Sequence, residues 1–277
     1  MLTYMYRPSI FFSLTFFISW VAWFLAAYVS WQPAMQQFLL PLVLLGISGP
    51  AITTFIMLIR ANNASLWQDF FQRLRFSSIK KRFIPIVVFL VPCQILLAIA
   101  IAWFFGESIH QAVPATDMAD QALQGITLLM SLFVIFLVGP FEEIGWRGYG
   151  IDSLRSKFSL MKTSLIFGAL WGCWHLPLFL IKNGSFQEIW SFGLLHTAVY
   201  FTVFFFLTII INWLYIKNNR SILIAILFHS ICDLCIGLFH ITPVTWTVLA
   251  GILLLTAVIV VRQNKDVFFK KLESSHN

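Results

Sequence analysis

The sequence predicts an all-α, polytopic helical membrane protein, and three observations carry that reading. Some 60% of the 277 residues are hydrophobic and only 10% are charged, against about 25% charged in an ordinary soluble domain. The apolar residues gather into about eight runs, each near the ~20 residues that cross a bilayer. The runs are apolar on every face, whereas the strands of a membrane β-barrel alternate apolar and polar positions.

The first run, 10–30, is preceded by a single basic residue, Arg7, and lacks an A-x-A-like end. It is long enough to span and is expected to be a retained first helix rather than a cleaved leader. The second run covers 38–59. Segment 64–82 is different in kind. Leu66, Trp67, Phe70, Phe71 and Leu74 recur at helical spacing, with Gln68, Asp69, Gln72, Arg73 and Arg75 between them. That pattern predicts an amphipathic helix in the cytoplasmic interface, as a surface anchor or a substrate-docking element. Six more runs cover 83–105, 125–141, 163–181, 190–216, 221–239 and 244–261. The fourth is short in apolar residues, so its helix is expected to continue past Glu143. Residues 263–277 are polar and are expected to form a loose cytoplasmic tail. The chain divides into N-terminal helices with the interfacial segment (1–124), a central core (125–240), and a last helix with the tail (241–277).

Charge supports an even number of spans. Arg60, Arg73, Arg75, Lys80, Lys81 and Arg82 come after the second run; Arg147, Arg155, Lys157 and Lys162 come after the fourth. Lys217 and Arg220 come after the sixth, and Arg262, Lys265, Lys270 and Lys271 after the eighth. With Arg7, all but Lys182 of the 18 basic residues then fall on one side, while Glu107, Asp117, Asp120 and Glu188 lie on the other. The positive-inside rule places both termini in the cytoplasm of a multi-pass cell-membrane protein. The net charge of +7 is therefore explained by lipid headgroups and topology, not by nucleic acid. Cys93, Cys173, Cys232 and Cys235 all lie inside apolar runs, which argues against a disulfide framework. The Cys232/Cys235 spacing reads as packing inside a membrane helix, with a metal or redox role as the alternative.

Ionisable residues at membrane depth are costly and mark functional sites. Three clusters occur. Glu142, Glu143 and Arg147 sit at the end of the fourth run. Glu143 and Arg147 are i and i+4, so they share a helix face and can pair. Glu142 points about 100° away, free to face a cavity. A salt-bridged helix end is the plainer reading. His175 lies one turn after Trp171 and two residues before Pro177, which frees or kinks backbone nearby; a packing histidine is the plainer reading here. His229 and Asp233 are again i and i+4, and a local His–Asp hydrogen bond is the plainer reading there. At about 1.5 Å per residue, His229 lies roughly 12 Å and His175 roughly 18 Å from the cytoplasmic ends of their helices. Those depths fit one cavity open to the cytoplasm if the fourth helix enters further than its apolar part. A carboxylate that takes a proton from water, near histidines that orient water or donate to an oxyanion, performs hydrolysis. His196 is expected to be a packing residue, His110 and His240 to lie near the outer face, and His276 in the tail.

On these residues the chain resembles the CPBP family, which includes the type II CAAX prenyl endopeptidases and bacterial Abi-type, bacteriocin-immunity-associated membrane proteins. The family pattern is E-E-x-x-x-R, F-x-x-x-H and H-x-x-x-N/D on separate membrane helices. Glu142, Glu143 and Arg147 match the first motif, and Trp171 to His175 the second, with Trp in place of Phe. His229 to Asp233 match the third. The match runs over about residues 125–240. The resemblance implies a metal-independent intramembrane glutamic endopeptidase acting on membrane-tethered or lipidated peptides or proteins within the bilayer. It implies Glu142 as the base, helped by His175; His229 and Asp233 as oxyanion stabilisers; and Glu143, Arg147 and Trp171 as supports. A zinc enzyme with Glu142, His175 and His229 as ligands is the alternative, since three protein ligands plus water suffice for catalytic zinc. The prenyl endopeptidases carry Asn where this chain has Asp233. Two other functions compete: a non-catalytic scaffold or immunity factor using the same cavity, and a proton-relay transporter. The intact Glu142, His175 and His229 set favours the peptidase, and no internal inverted repeat supports the transporter.

Overall fold

The computed structural model describes residues 5–113, 126–239 and 241–270, with side chains described from residue 136 onward in the helix that begins at Ile126. Asp117, Asp120, His240, Lys271 and His276 lie outside the described residues. The described residues are helical, with no strand among them. Helix α1 is Pro8–Ser30, α2 Leu39–Ala61, α3 Ala64–Arg73 and α4 Ile84–Phe104. Helix α5 is Ile126–Gly145 and α6 Ile151–Arg155, joined by a π-helical turn over Trp146–Gly150. Helix α7 is Leu160–Trp174, α8 Ser185–Ser191, α9 Leu194–Lys217, α10 Ile222–Leu238, α11 Pro243–Gln263 and α12 Lys265–Phe269.

Each of the eight expected intervals overlaps a helix, although the run 190–216 also takes in the end of α8 and a break at Phe192 and Gly193 before α9 begins. Among the described residues, six helices are long and apolar enough to cross a membrane, and α10 is apolar but spans only 17 residues. Phe17, Phe24, Phe89, Leu97, Leu195 and Leu255 are all exposed on the helix exteriors. So large an apolar surface suits lipid and not water. Pro begins α1 and α11, where its missing N–H costs nothing.

Three local expectations needed correction. The amphipathic segment 64–82 forms a helix only over Ala64–Arg73, after which come 3-10 turns at Phe76–Ser78 and Lys81–Phe83. Asn63 starts α3 sharply, its Oδ1 accepting from the Ser65 and Leu66 backbone N–H groups at 3.0 and 3.4 Å. Arg73 is buried instead of lying on the solvated face. Helix α3 is thus docked on protein, with Phe70 buried and Leu66, Trp67 and Leu74 packed against the same core. The run 163–181 is α-helical only to Trp174 and continues as a 3-10 turn over Leu176–Leu180. Pro177 has no N–H to continue the α ladder. The tail is anchored at its start, because α12 buries Phe268 against Leu160, Ile209, Ala257 and Val260.

A close approach between α2 and α5 fixes the end of α5, where the paired glutamates sit. Pro50 lies inside α2 and meets Gly145, the last residue of α5. A Cβ at Gly145 would fall within the Pro50 backbone and ring, and neither can move aside as a flexible side chain would. Thr54 Oγ1 donates to the Gly145 carbonyl at 3.2 Å, tying the two helices at that point. Small residues let membrane helices pack backbone to backbone. Gly145→Ala is expected to push α5 away from α2 and to cost about 1–3 kcal/mol or more as overpacking. A lowered thermal midpoint in detergent, with less folded protein recovered, checks this.

Candidate active site

The end of α5 carries Glu142 and Glu143, both buried at 3% and 0% exposure. The helix does continue past Glu143, then widens into the π turn that carries Trp146 and Arg147. Single π turns inside helices recur at functional sites. This one turns Trp146 back toward Glu142 and Arg147 back toward Glu143.

The two carboxylates have separate surroundings, as their helical offset predicts. Arg147 Nη1 donates to Glu143 Oε1 at 2.6 Å and Oε2 at 2.8 Å. Arg147 Nη2 donates to Asn212 Oδ1 on α9 at 3.0 Å, and Asn212 Nδ2 donates to Ser164 Oγ on α7 at 3.0 Å. The Phe167 ring lies 5.2 Å from the guanidinium carbon. Glu142 has no cation against it in this way. Its Oε2 accepts from two indole N–H groups, Trp146 Nε1 at 3.1 Å and Trp171 Nε1 at 2.8 Å. Glu142 also borders the cavity, and Oε1 has no hydrogen-bond partner among the described residues.

Glu143 also reaches α10. His229 Nδ1 lies 2.9 Å from Glu143 Oε1. With Glu143 already ion-paired, that contact is an Nδ1–H donated to a carboxylate, which leaves Nε2 directed elsewhere. The local His229–Asp233 hydrogen bond is not formed: Nε2 and Oδ2 are 3.5 Å apart, and Asp233 Oδ2 is buried without a hydrogen-bond partner among the described residues. The third motif is therefore held by the first, across helices.

His175 caps α7. Its Nδ1 lies 2.7 Å from the Trp171 carbonyl, so Nδ1–H donates and Nε2 remains an acceptor. The ring is sandwiched between Phe186 and Phe204, with centroids 5.2 and 5.0 Å away and planes within 30°. Trp171 occupies the position where the family pattern has Phe, and its indole N–H supplies the shorter of the two bonds to Glu142, which a Phe cannot supply. Its ring also meets His229 edge-on at 5.5 Å.

One cavity of about 310 Å³ is lined by Glu142, Trp171, His175, His229 and Asp233 together. Its other walls are largely apolar, from residues such as Trp23, Phe204, Ile211 and Trp246. The three sequence clusters thus converge as their depths predict. His196 is outside it, buried against Phe192 on α9, and His110 lies on the turn after α4. Sequence reasoning missed Trp146, Asn212 and Ser164. Trp146 had a legible signal, since it is i+4 from Glu142. Asn212 is a buried amide inside the apolar α9. Ser164 had no distinguishing signal.

The zinc alternative requires Glu142, His175 and His229 to gather round one ion. Among the described residues, no three His, Cys, Asp or Glu side chains come together as a ligand set. Glu142, His175 and His229 each keep one donor atom without a hydrogen bond among the described residues, Glu142 Oε1 and the Nε2 atoms of His175 and His229.

Residues 124–235 match the family described as Type II CAAX prenyl endopeptidase Rce1-like. The chain is 34% identical over 271 residues to CAAX prenyl protease 2 of Methanococcus maripaludis, covering 98% of each. The chain belongs to this endopeptidase family and is a multi-pass, membrane-embedded peptidase.

Proposed function

We propose that Glu142 is the general base of a metal-independent peptide hydrolysis carried out in the shared cavity. The observation that carries this is the contrast between two adjacent carboxylates: Glu143 is spent on Arg147 and His229, while Glu142 has only neutral donors on one oxygen. A water held between Glu142 and the free Nε2 of His175 loses its proton to Glu142. Its oxygen adds to the scissile carbonyl carbon, and the carbonyl electron pair moves onto oxygen. His229, held by Glu143 through Nδ1–H and charged as the imidazolium, donates Nε2–H to that oxyanion, and Asp233 in its protonated form donates its O–H. When the intermediate collapses, the C–N bond breaks and the proton on Glu142 passes to the leaving nitrogen.

The relative's name attaches it to prenylated CAAX substrates. For this chain the cavity supports a membrane-tethered or lipidated peptide or protein. Its wall is largely apolar, and Glu142, His175 and His229 all adjoin Trp171. The basic loops favour both termini in the cytoplasm, with cleavage near that face. The test maps new peptide termini in membranes expressing wild type or Glu142→Ala at equal levels, with and without a chelator. Termini that vanish in the variant and persist under chelation are expected. Termini that persist in the variant remove Glu142 from the chemistry, and termini lost on chelation restore the metal reading.

Asp233 tests the oxyanion assignment. A neutral amide donates to an oxyanion as a protonated carboxyl does, and Asn stands at this position in the prenyl endopeptidases. Asp233→Asn is therefore expected to retain activity within about tenfold of wild type. A folded, inactive variant would show that the carboxyl itself is required.

A further inference from the structure

On the basic face of the molecule, away from the catalytic cavity, a second cavity of about 540 Å³ lies between the end of α6, the end of α9 and the segment just before α1. Tyr6, Asp152, Arg155, Ser156, Ile216, Asn219 and Arg220 border it. Asp152 and Arg220 belong to a cluster of alternating charge. Asp152 accepts from Arg73 Nη1 at 2.9 Å, Tyr215 Oη at 3.0 Å and Arg220 Nη2 at 2.6 Å. Arg220 also forks onto Asp69 at 3.1 and 3.0 Å. Burial alone would raise the Asp152 carboxyl pKa, but Arg220 and Arg73 overcome it and hold the pKa below its ordinary value. Both aspartates are thus fully engaged by Arg73 and Arg220.

Arg155 is left over. It is 7% exposed, yet forms no ion pair among the described residues. Nη1 donates to the Phe158 carbonyl at 3.0 Å, and Nε has no hydrogen-bond partner. Burying a guanidinium with most of its N–H groups unpaired is costly. Arg73, Arg155 and Arg220 outnumber Asp69 and Asp152, and Arg155 is the one of the three that forms no ion pair among the described residues, although the Asp152 carboxylate shares the cavity wall. Ile216 is in the last turn of α9, whose apolar run ends at Lys217. That places the cavity at headgroup depth, with an apolar wall beside the cation.

We propose that this cavity binds a phosphate-type oxyanion through Arg155, presented by an anionic lipid headgroup or by a soluble phosphate. A phosphate supplies the acceptor that Arg155 Nη2 lacks among the described residues, and a guanidinium suits a phosphate oxygen as a partner. The cavity volume admits the rest of a headgroup. An occupant would also brace the turn at Asn219 and Arg220, two non-glycine residues held at φ 56° and 60°.

The test compares thermal midpoints of wild type, Arg155→Gln, Ser156→Glu and Lys157→Gln in phosphatidylcholine nanodiscs. One arm adds phosphatidylglycerol; another adds inorganic phosphate against chloride at equal ionic strength. Wild type is expected to gain roughly 5 °C with the anionic lipid, as near-saturating occupancy of one site gives. Arg155→Gln is expected to lose that gain. Ser156→Glu places a carboxylate at the rim from an exposed position and is expected to lose it too, so the test survives if Arg155→Gln does not fold. Lys157→Gln removes an equal charge from an exposed neighbour and is expected to keep the gain. A gain from inorganic phosphate alone assigns the site to a soluble phosphate. No gain in either arm, or equal loss in Lys157→Gln, overturns the site in favour of a water-filled cavity or diffuse surface attraction.

Discussion

Glu142→Gln is expected to lower the turnover of a membrane-tethered peptide by about 10³-fold, the middle of the range that a positioned general base contributes. The variant keeps what the structure asks of this side chain. A glutamine carbonyl oxygen can take the place of Glu142 Oε2 and accept both indole N–H bonds, from Trp146 at 3.1 Å and Trp171 at 2.8 Å. Volume is nearly unchanged, and Glu142 forms no ion pair among the described residues that its loss would break. The thermal midpoint should therefore stay close to wild type while the chemical step fails. Such a loss corresponds to about 4 kcal/mol of transition-state stabilisation. The decisive measurement is single-turnover cleavage together with substrate affinity. A fall in the rate with unchanged binding is the signature of a group that acts in the transition state. A weaker affinity with a normal rate would make Glu142 a binding group and take the role of base away from it.

Local contacts were legible in the sequence, and distant ones were not, for a physical reason. Helical offsets separate Glu143 from Glu142 and pair Glu143 with Arg147, and the structure contains that pair at 2.6 Å. The apolar runs locate each helix because bilayer thickness fixes their length. Contacts between helices are another matter. The hydrogen bond of His229 to Glu143 spans 86 positions, and the sequence offers the nearer Asp233 as an equally reasonable partner. Arg73 sits at a polar position of an amphipathic pattern, yet it is drawn inward by Asp152, 79 residues away. It also donates to the Arg147 and Gly148 carbonyls, which the π turn leaves available at 2.8 and 3.0 Å. Periodicity reports which face of a helix is apolar. It does not report a buried carboxylate waiting on another helix. For the same reason Phe268 reads as part of a polar tail, although the groove that receives it is made by α7, α9 and α11.

Removing Arg147 is expected to have the largest effect on stability. Arg147 and Glu143 are both 0% exposed, and breaking a buried pair from one side costs about 3–5 kcal/mol, because the remaining charge is left uncompensated. Arg147→Met should therefore lower the thermal midpoint by roughly 10 °C for a chain of this size. It also strands Asn212 Oδ1, whose donor is Arg147 Nη2. The double variant Glu143→Met/Arg147→Met separates fold from function. Replacing both partners of a buried pair by apolar groups is often nearly neutral, so the part of the loss due to the unpaired charge should return, while the stranded Asn212 Oδ1 and His229 Nδ1–H keep their cost. Activity should not return, since His229 Nδ1 then has no carboxylate at 2.9 Å to fix its ring. A histidine held only by packing against Trp171 can rotate, and Nε2 is no longer aimed at the oxyanion. Thermal midpoints and single-turnover rates of the three proteins check the argument. If the double variant recovered both stability and cleavage, the pair would be a structural staple alone, and the orientation of His229 would have to come from the aromatic wall.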